Sequence, residues 1–361
     1  LHPRLLAIHQ QQTAAVILAP LQRLLRGHHV ARGADNQRRQ LRRPHLGHAG
    51  SLDNPLPHRG VLLQSHLRRR GQIQRPEPAL RGIRGAHAEA LRLEVNDPCA
   101  VSETERQRLL QLCRKTNMAI YASRFDGLAD KQIPRRLGEQ FGLTHLDSNL
   151  LADEDAVTTL QVAPEKSGRG YIPYSNRRLL WHTDGYYNPP EMRVRAFVLH
   201  CITPAASGGE NALLDPEIAY LRLRDENPEF IRALMAPDVL TIPANTEEGG
   251  EIRPAQTGPV FSIDPATGSL HMRYTARTRS IEWKPDAATH NAVKALERLL
   301  AGDSPHVFRY RLAAGEGLLC NNVLHNRTAF ADDVDKGIRR LIYRARYYDR
   351  IAGTDVSDVV G

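Results

Sequence analysis

The chain has 361 residues, enough for one large domain or two smaller ones, and its 49 Lys and Arg against 40 Asp and Glu give a formal net charge of +9. That excess sits in the first quarter: residues 1–94 hold sixteen Arg, no Lys and five acidic residues, a net of +11, which leaves residues 95–361 near neutral at −2. A basic surface spread over the whole chain, as a general nucleic-acid binder carries, is thereby excluded.

The first quarter contains no Phe, Tyr or Trp and nine of the sixteen His. Without aromatics, and with so many unpaired arginines, it cannot bury a core that offsets chain entropy. Runs such as Arg68-Arg69-Arg70 suggest an arm for nucleic acid, but no aromatic is interleaved for base stacking. An organelle transit peptide is Arg-rich and acid-poor, yet also Ser-rich and shorter. The composition fits upstream sequence included by an early start better than either. Residues 1–94 are therefore expected to be a disordered extension without function, and residues 95–361 the folded domain. No apolar run is long enough to span a membrane. Cys99, Cys113, Cys201 and Cys320 are scattered without a C-x-x-C pair, which points to a reduced, cytoplasmic chain. Nucleic acid is not an expected partner, and homo-oligomerisation is left open.

In chain order, Ser102-Glu103-Thr104-Glu105 reads as a capping box. It opens a helix with Leu109, Leu110, Leu112 and Cys113 on one face, ending near Asn117. A second short helix is expected over residues 131–141, and strand-like pieces over 159–162 and 171–174. Residues 194–202 are almost continuously apolar, as in a buried strand. The Gly208-Gly209 turn leads into Ala212-Leu213-Leu214. Asp215-Pro216-Glu217 and Asn227-Pro228-Glu229 put a cap and an N1 proline where helices favour them, the second helix running through Met235. Residues 285–301 are amphipathic and stop at Gly302. A strand over 307–312, a turn over 313–317, one strand carrying His325 and a last strand over 339–347 complete the chain. The pattern predicts a mainly β domain with inserted helices (α+β) and an antiparallel core.

The chemistry gathers in Trp181-His182-Thr183-Asp184-Gly185-Tyr186-Tyr187. In extended chain, side chains two apart share a face, so His182 and Asp184 can reach one metal ion. A third ligand must come from elsewhere, and His325 is the best candidate. Two histidines and one carboxylate on one face of an octahedral ion form the facial triad of non-haem Fe(II) oxygenases. A second H-x-D, His145-Leu146-Asp147, lacks the flanking apolar run and Gly-aromatic-Pro turn, and reads as structural.

The stretches WHTDGYYNPP (181–190), GGEN (208–211), LHNRTAF (324–330) and RRLIYR (339–344), in this order, resemble the TauD/TfdA family of Fe(II)- and 2-oxoglutarate-dependent dioxygenases over roughly residues 95–350. The resemblance implies a double-stranded β-helix, or jelly roll, with iron held by His182, Asp184 and His325. It assigns the distal carboxylate of 2-oxoglutarate to Arg340, whose guanidinium fork matches a carboxylate, with Arg339 on the opposite strand face. Asn211 stands where relatives use a threonine for the same carboxylate. Arg344 matches the position that binds a substrate sulfonate in the taurine oxygenase; the bland alternative is a surface arginine in a basic strand with Arg346 and Arg350. Tyr186 and Tyr187 are expected to line the pocket, where aromatic faces could instead hold a quaternary ammonium, so the charge of the small-molecule substrate stays open. The implied reaction consumes O2 and 2-oxoglutarate, hydroxylates an unactivated C–H and releases succinate and CO2; the Asp184 carboxylate favours this over halogenation. The alternative is a non-catalytic jelly-roll binding protein with a vestigial metal site.

Overall fold

The computed structural model describes residues 90–124, 129–148, 153, 155–164, 171–247 and 250–355, all within the unit Pro57–Gly361. Residues 1–89, and with them nearly all of the expected extension, lie outside the described residues. The expected boundary at 94/95 cuts through a strand. Leu93 and Val95 alternate with Arg92 and Glu94, and this buries one face of β1 (Arg92–Val95) as it pairs in parallel with β2 (Met118–Ser123).

Between these strands runs α1 (Glu103–Thr116), with the capping box formed as read: Ser102 accepts the Glu105 N–H, and Glu105 accepts the Ser102 N–H. Asn117, in the left-handed conformation, ends it. The next elements are α2 (Ile133–Glu139) and β3 (Val157–Leu160), which begins two residues before the expected strand. The segment 171–174 is a 3-10 turn over Ile172–Tyr174 rather than a strand, because Pro173 has no N–H for a ladder and its fixed φ suits a tight turn.

Then come β4 (Leu179–His182), β5 (Ala196–Thr203) and β6 (Asn211–Leu214). The helices α3 (Pro216–Glu226), α4 (Pro228–Leu234) and α5 (Ala287–Ala301) are capped by Asp215, Asn227 and Asp286. The last strands are β7 (Phe308–Tyr310), β8 (Glu316–Cys320), β9 (Leu324–Arg327) and β10 (Leu341–Tyr347). Glu316 and Gly317 belong to β8, not to the turn. The single strand expected to carry His325 is in fact two strands in different sheets. Asn322 takes a φ of 45°, and that kink lets the chain cross between them.

A six-stranded sheet in the order β1-β2-β8-β5-β10-β3 is antiparallel apart from β1/β2, and a four-stranded sheet in the order β7-β6-β9-β4 is wholly antiparallel. Alternation along the strands sorts the core into layers. Phe197, Leu213, Leu318 and Ile342 pack together between the sheets. Val198, Leu319 and Tyr343 face the other way, onto Leu109 of α1 and Leu137 of α2. Trp181, Leu214 and Leu324 point out of the four-stranded sheet onto Leu223, Leu234 and Leu296 of α3, α4 and α5. Each such side chain, fully buried, contributes about 1.5–3 kcal/mol. Residues 240–283 supply short strands beside this layer, including the three-stranded set Leu240–Ile242, Gln256–Gly258 and Glu282–Trp283. Among the described residues no helix is long and apolar enough to cross a membrane.

Candidate metal centre and its cavity

The antiparallel register of β4 and β9 sets His182 directly opposite His325, with ring centroids 4.1 Å apart. Asp184 lies just past the end of β4, where Gly185 at φ 66° turns the chain. A Cβ at Gly185 would meet Val194 Cγ2 at 2.5 Å, so only glycine fits this close approach. Asn322 clamps the same turn: its Oδ1 accepts the Asp184 N–H at 2.8 Å, and its Nδ2 donates to the Asp184 carbonyl at 2.9 Å and the Val194 carbonyl at 2.6 Å. His182 Nε2 stands 3.7 Å from Asp184 Oδ1, and one ligand atom from each of His182, Asp184 and His325 lies within 4.8 Å of the others. Among the described residues this is the one such group.

Both imidazoles are oriented by their own strands. His182 Nδ1 is 2.9 Å from the Leu180 carbonyl, and His325 Nδ1 is 2.9 Å from the Val323 carbonyl. A carbonyl only accepts, so Nδ1 carries the proton in each ring and Nε2 is left as a lone pair. Burial, with His325 alongside, pushes His182 down to about 3, and burial lowers His325 as well. Burial alone would raise Asp184, but the guanidiniums of Arg344 and Arg346 hold it well below the usual carboxylate range. At neutral pH the group is thus two neutral imidazoles and one carboxylate, the donor set a divalent ion takes.

His182, Asp184, Tyr186 and Tyr187 open onto a cavity of about 560 Å³. Arg344 also lines it, but its Nη1 lies 3.1 Å from both Asp184 oxygens. The surface-arginine alternative fails, since Arg344 and Arg346 are 8% and 3% exposed. Arg346 forms a buried ion pair with Asp147 and donates to the Tyr187 hydroxyl at 3.1 Å, while the Tyr348 hydroxyl donates to Asp147 at 2.9 Å. The second H-x-D is accordingly structural. His145 is exposed and bonded to Asp349, whereas Asp147 is turned inward, so the two side chains share no point.

Tyr186 stands edge-on to Tyr187 with centroids 5.1 Å apart, and Arg253 and Arg346 lie 5.6 and 5.9 Å from the Tyr187 ring centre. The Tyr187 ring is thus already in contact with the chain's own cations. Among the described residues, Asp147 and Asp184 are the carboxylates lining the cavity, and each is paired with an arginine. Arg253, Arg277 and Arg279 also line it and leave it positive.

Arg340 and Asn211 do not line this cavity. Arg340 lies just before β10, buried, with its guanidinium 5.1 Å from the Phe330 ring centre and its Nη1 without a hydrogen-bond partner among the described residues. Burial lowers it to about 10. A buried cation with an unspent N–H fits the distal carboxylate of 2-oxoglutarate. Asn211, on β6, is the register partner of Arg327 on β9. The sequence reading assigns no role to Arg327 or Asn322, and expects Asp147 only as part of the structural H-x-D. It also missed Arg346, although two-residue alternation from Arg344 points to it. Nothing local marks Arg253, Arg277 or Arg279.

Residues 79–346 match the family described as taurine catabolism dioxygenase TauD, TfdA family. A uridine-5'-phosphate dioxygenase from Amycolatopsis sp is 30% identical over 173 residues, 46% of this chain and 60% of that relative, so the chain spans about three fifths of its length. A protein of the same name from Streptomyces sp is 29% identical over 218 residues, 57% of this chain and 75% of the relative. Among solved structures, asparagine oxygenase in complex with Fe(II), a hydroxyasparagine and succinate has a TM-score of 0.50 at 16% identity, covering 68% of this chain and 80% of that one. The non-haem iron oxygenase OrfP in complex with Fe and alpha-ketoglutaric acid gives the same TM-score, identity and coverage. At such identities the two structures speak for the fold alone. The family match, spanning most of the described elements and every residue of the metal centre, means that this chain belongs to the TauD/TfdA dioxygenase family.

Proposed function

We propose that the chain is an Fe(II)- and 2-oxoglutarate-dependent dioxygenase that hydroxylates a nucleoside monophosphate. The observation that carries this is the triad of His182, Asp184 and His325, whose His182 and Asp184 line a cavity in which, among the described residues, both carboxylates are paired with arginines and to which Arg253, Arg277 and Arg279 bring further positive charge. The triad would hold the iron, and Arg340 with Asn211 the distal carboxylate of 2-oxoglutarate. Bound iron, with 2-oxoglutarate and O2, supplies the oxidation of an unactivated C–H with release of succinate and CO2. Arg344 keeps Asp184 ionised and fixes its plane. Arg346 fixes Tyr187, and Tyr186 and Tyr187 present an aromatic wall to the cavity. The two curated relatives are named for uridine-5'-phosphate, and a nucleotide brings a phosphate for the arginines. The six- and four-stranded sheets would be the two halves of a double-stranded β-helix. A vestigial binding protein has no need of an intact triad together with a buried, unspent Arg340.

The test is succinate formation by the full chain with Fe(II), O2 and 2-oxoglutarate, with uridine monophosphate, with uridine and with neither. The nucleotide should stimulate turnover and emerge hydroxylated, and uridine should stimulate far less. Equal stimulation by uridine would remove the phosphate from the argument. Absence of succinate across a panel of nucleoside monophosphates would overturn the function.

A further inference from the structure

We propose that Arg327 is a second cation for the distal carboxylate of 2-oxoglutarate, acting with Arg340; this rests on the dioxygenase reading above. Arg327 lies two residues beyond His325 on β9, so both side chains leave the strand on one face, while Leu324 points away to the helix layer. Asn211 stands directly opposite Arg327 in the antiparallel register, which places its side chain on that face too. Arg327 and Arg340 are 4% and 5% exposed. Their guanidinium carbons lie 4.7 and 5.1 Å from the same Phe330 ring centre, and so are no more than about 10 Å apart.

Two buried positive charges this close are unfavourable twice over, by desolvation and by mutual repulsion. Among the described residues neither has a carboxylate partner within ion-pair distance. Arg327 Nε and Arg340 Nη1 are both buried without a hydrogen-bond partner there. One bound carboxylate, with two oxygens, would answer both orphaned N–H groups. Neither arginine borders the cavity assigned to the substrate, which keeps this anion site apart from it.

Arg327 also donates through Nη2 to the carbonyls of Ser175 and Arg177, just ahead of β4. These bonds hold the guanidinium in place and leave Nε free, so pinning this segment does not exhaust its hydrogen-bonding capacity. The test must separate the two roles.

The full chain is loaded with Fe(II) without O2 and titrated with 2-oxoglutarate, the iron charge-transfer absorbance giving Kd. The same titration is run with 2-oxobutyrate, which has the chelating end and no second carboxylate. Arg327→Gln should weaken 2-oxoglutarate by about tenfold or more, the loss of one charge-assisted hydrogen bond, and leave 2-oxobutyrate within about twofold. Arg327→Lys, which keeps the charge, should lose less. Equal losses for both acids would mean that the segment around Ser175 has moved, and an unchanged 2-oxoglutarate Kd would mean that Arg340 acts alone; either result overturns the proposal. If the unaltered chain gives no absorbance with 2-oxoglutarate at all, the fault lies in the dioxygenase reading and the proposal goes with it.

Discussion

Replacing Asp147 by Asn keeps the shape of the side chain and removes its charge. In the folded chain that leaves the Arg346 guanidinium buried without its counterion, since both side chains are 3% exposed. Breaking a buried ion pair by removing one partner costs about 3–5 kcal/mol. For a domain of this size each kcal/mol moves the melting temperature by about 2–4 °C, so the expected fall is roughly 6–20 °C. The control is His145→Ala, from the same H-x-D. The His145 side chain is 74% exposed and pairs with Asp349, and such pairs contribute at most about 1 kcal/mol. Thermal unfolding followed by circular dichroism on the metal-free chain gives both values. Asp147→Asn should also raise KM for the substrate, because Arg346 loses its anchor and with it the hold on Tyr187. It should leave iron and 2-oxoglutarate binding intact. Equal melting temperatures for the two variants would refute the assignment of Asp147 as the buried anchor of the cavity wall.

Asn322→Ala removes three hydrogen bonds that fix the backbone of Asp184 and Val194, and equilibrium dialysis should show iron affinity lower by about 10–100-fold with all three ligands still present. Acid should destabilise the metal-free chain: burial holds His200 down to about 4 and His182 down to about 3, so below about pH 6.5 the unfolded chain takes up protons that the folded chain refuses. Stability from these groups is therefore complete above that pH and lost as pH falls toward 4; a denaturant midpoint that rises on acidification would contradict this. Arg279→Ala, at the exposed edge of the cavity, should raise KM for a nucleoside monophosphate and leave Kd for 2-oxoglutarate unchanged, as read by steady-state kinetics and anaerobic titration.

What could be read in advance follows from how far each signal reaches along the chain. Capping and proline placement are local, and the helices after Ser102, Asp215 and Asn227 begin where those residues put them. The pair His182 and Asp184 is local as well, and His325 follows from the motif around it. The roles of Arg344 and Arg346 were not legible, because their partners, Asp184 and Asp147, lie about 160 and 200 residues away and are met only through strand register. The crossing at Asn322 was hidden by the apolar run before it, since Leu318, Leu319 and Cys320 look continuous with Val323 and Leu324 until a left-handed asparagine separates them into two sheets. Short strands between 240 and 283 carry too few alternations to register as a period.

The most direct test of the central claim is the anaerobic absorption spectrum of the full chain with one equivalent of Fe(II) and excess 2-oxoglutarate, set beside His182→Ala and His325→Ala. The account predicts an iron–2-oxoglutarate charge-transfer band in the unaltered chain and none in either variant, with all three proteins folded. A band that survives loss of either histidine, or no band in the unaltered chain, would contradict it.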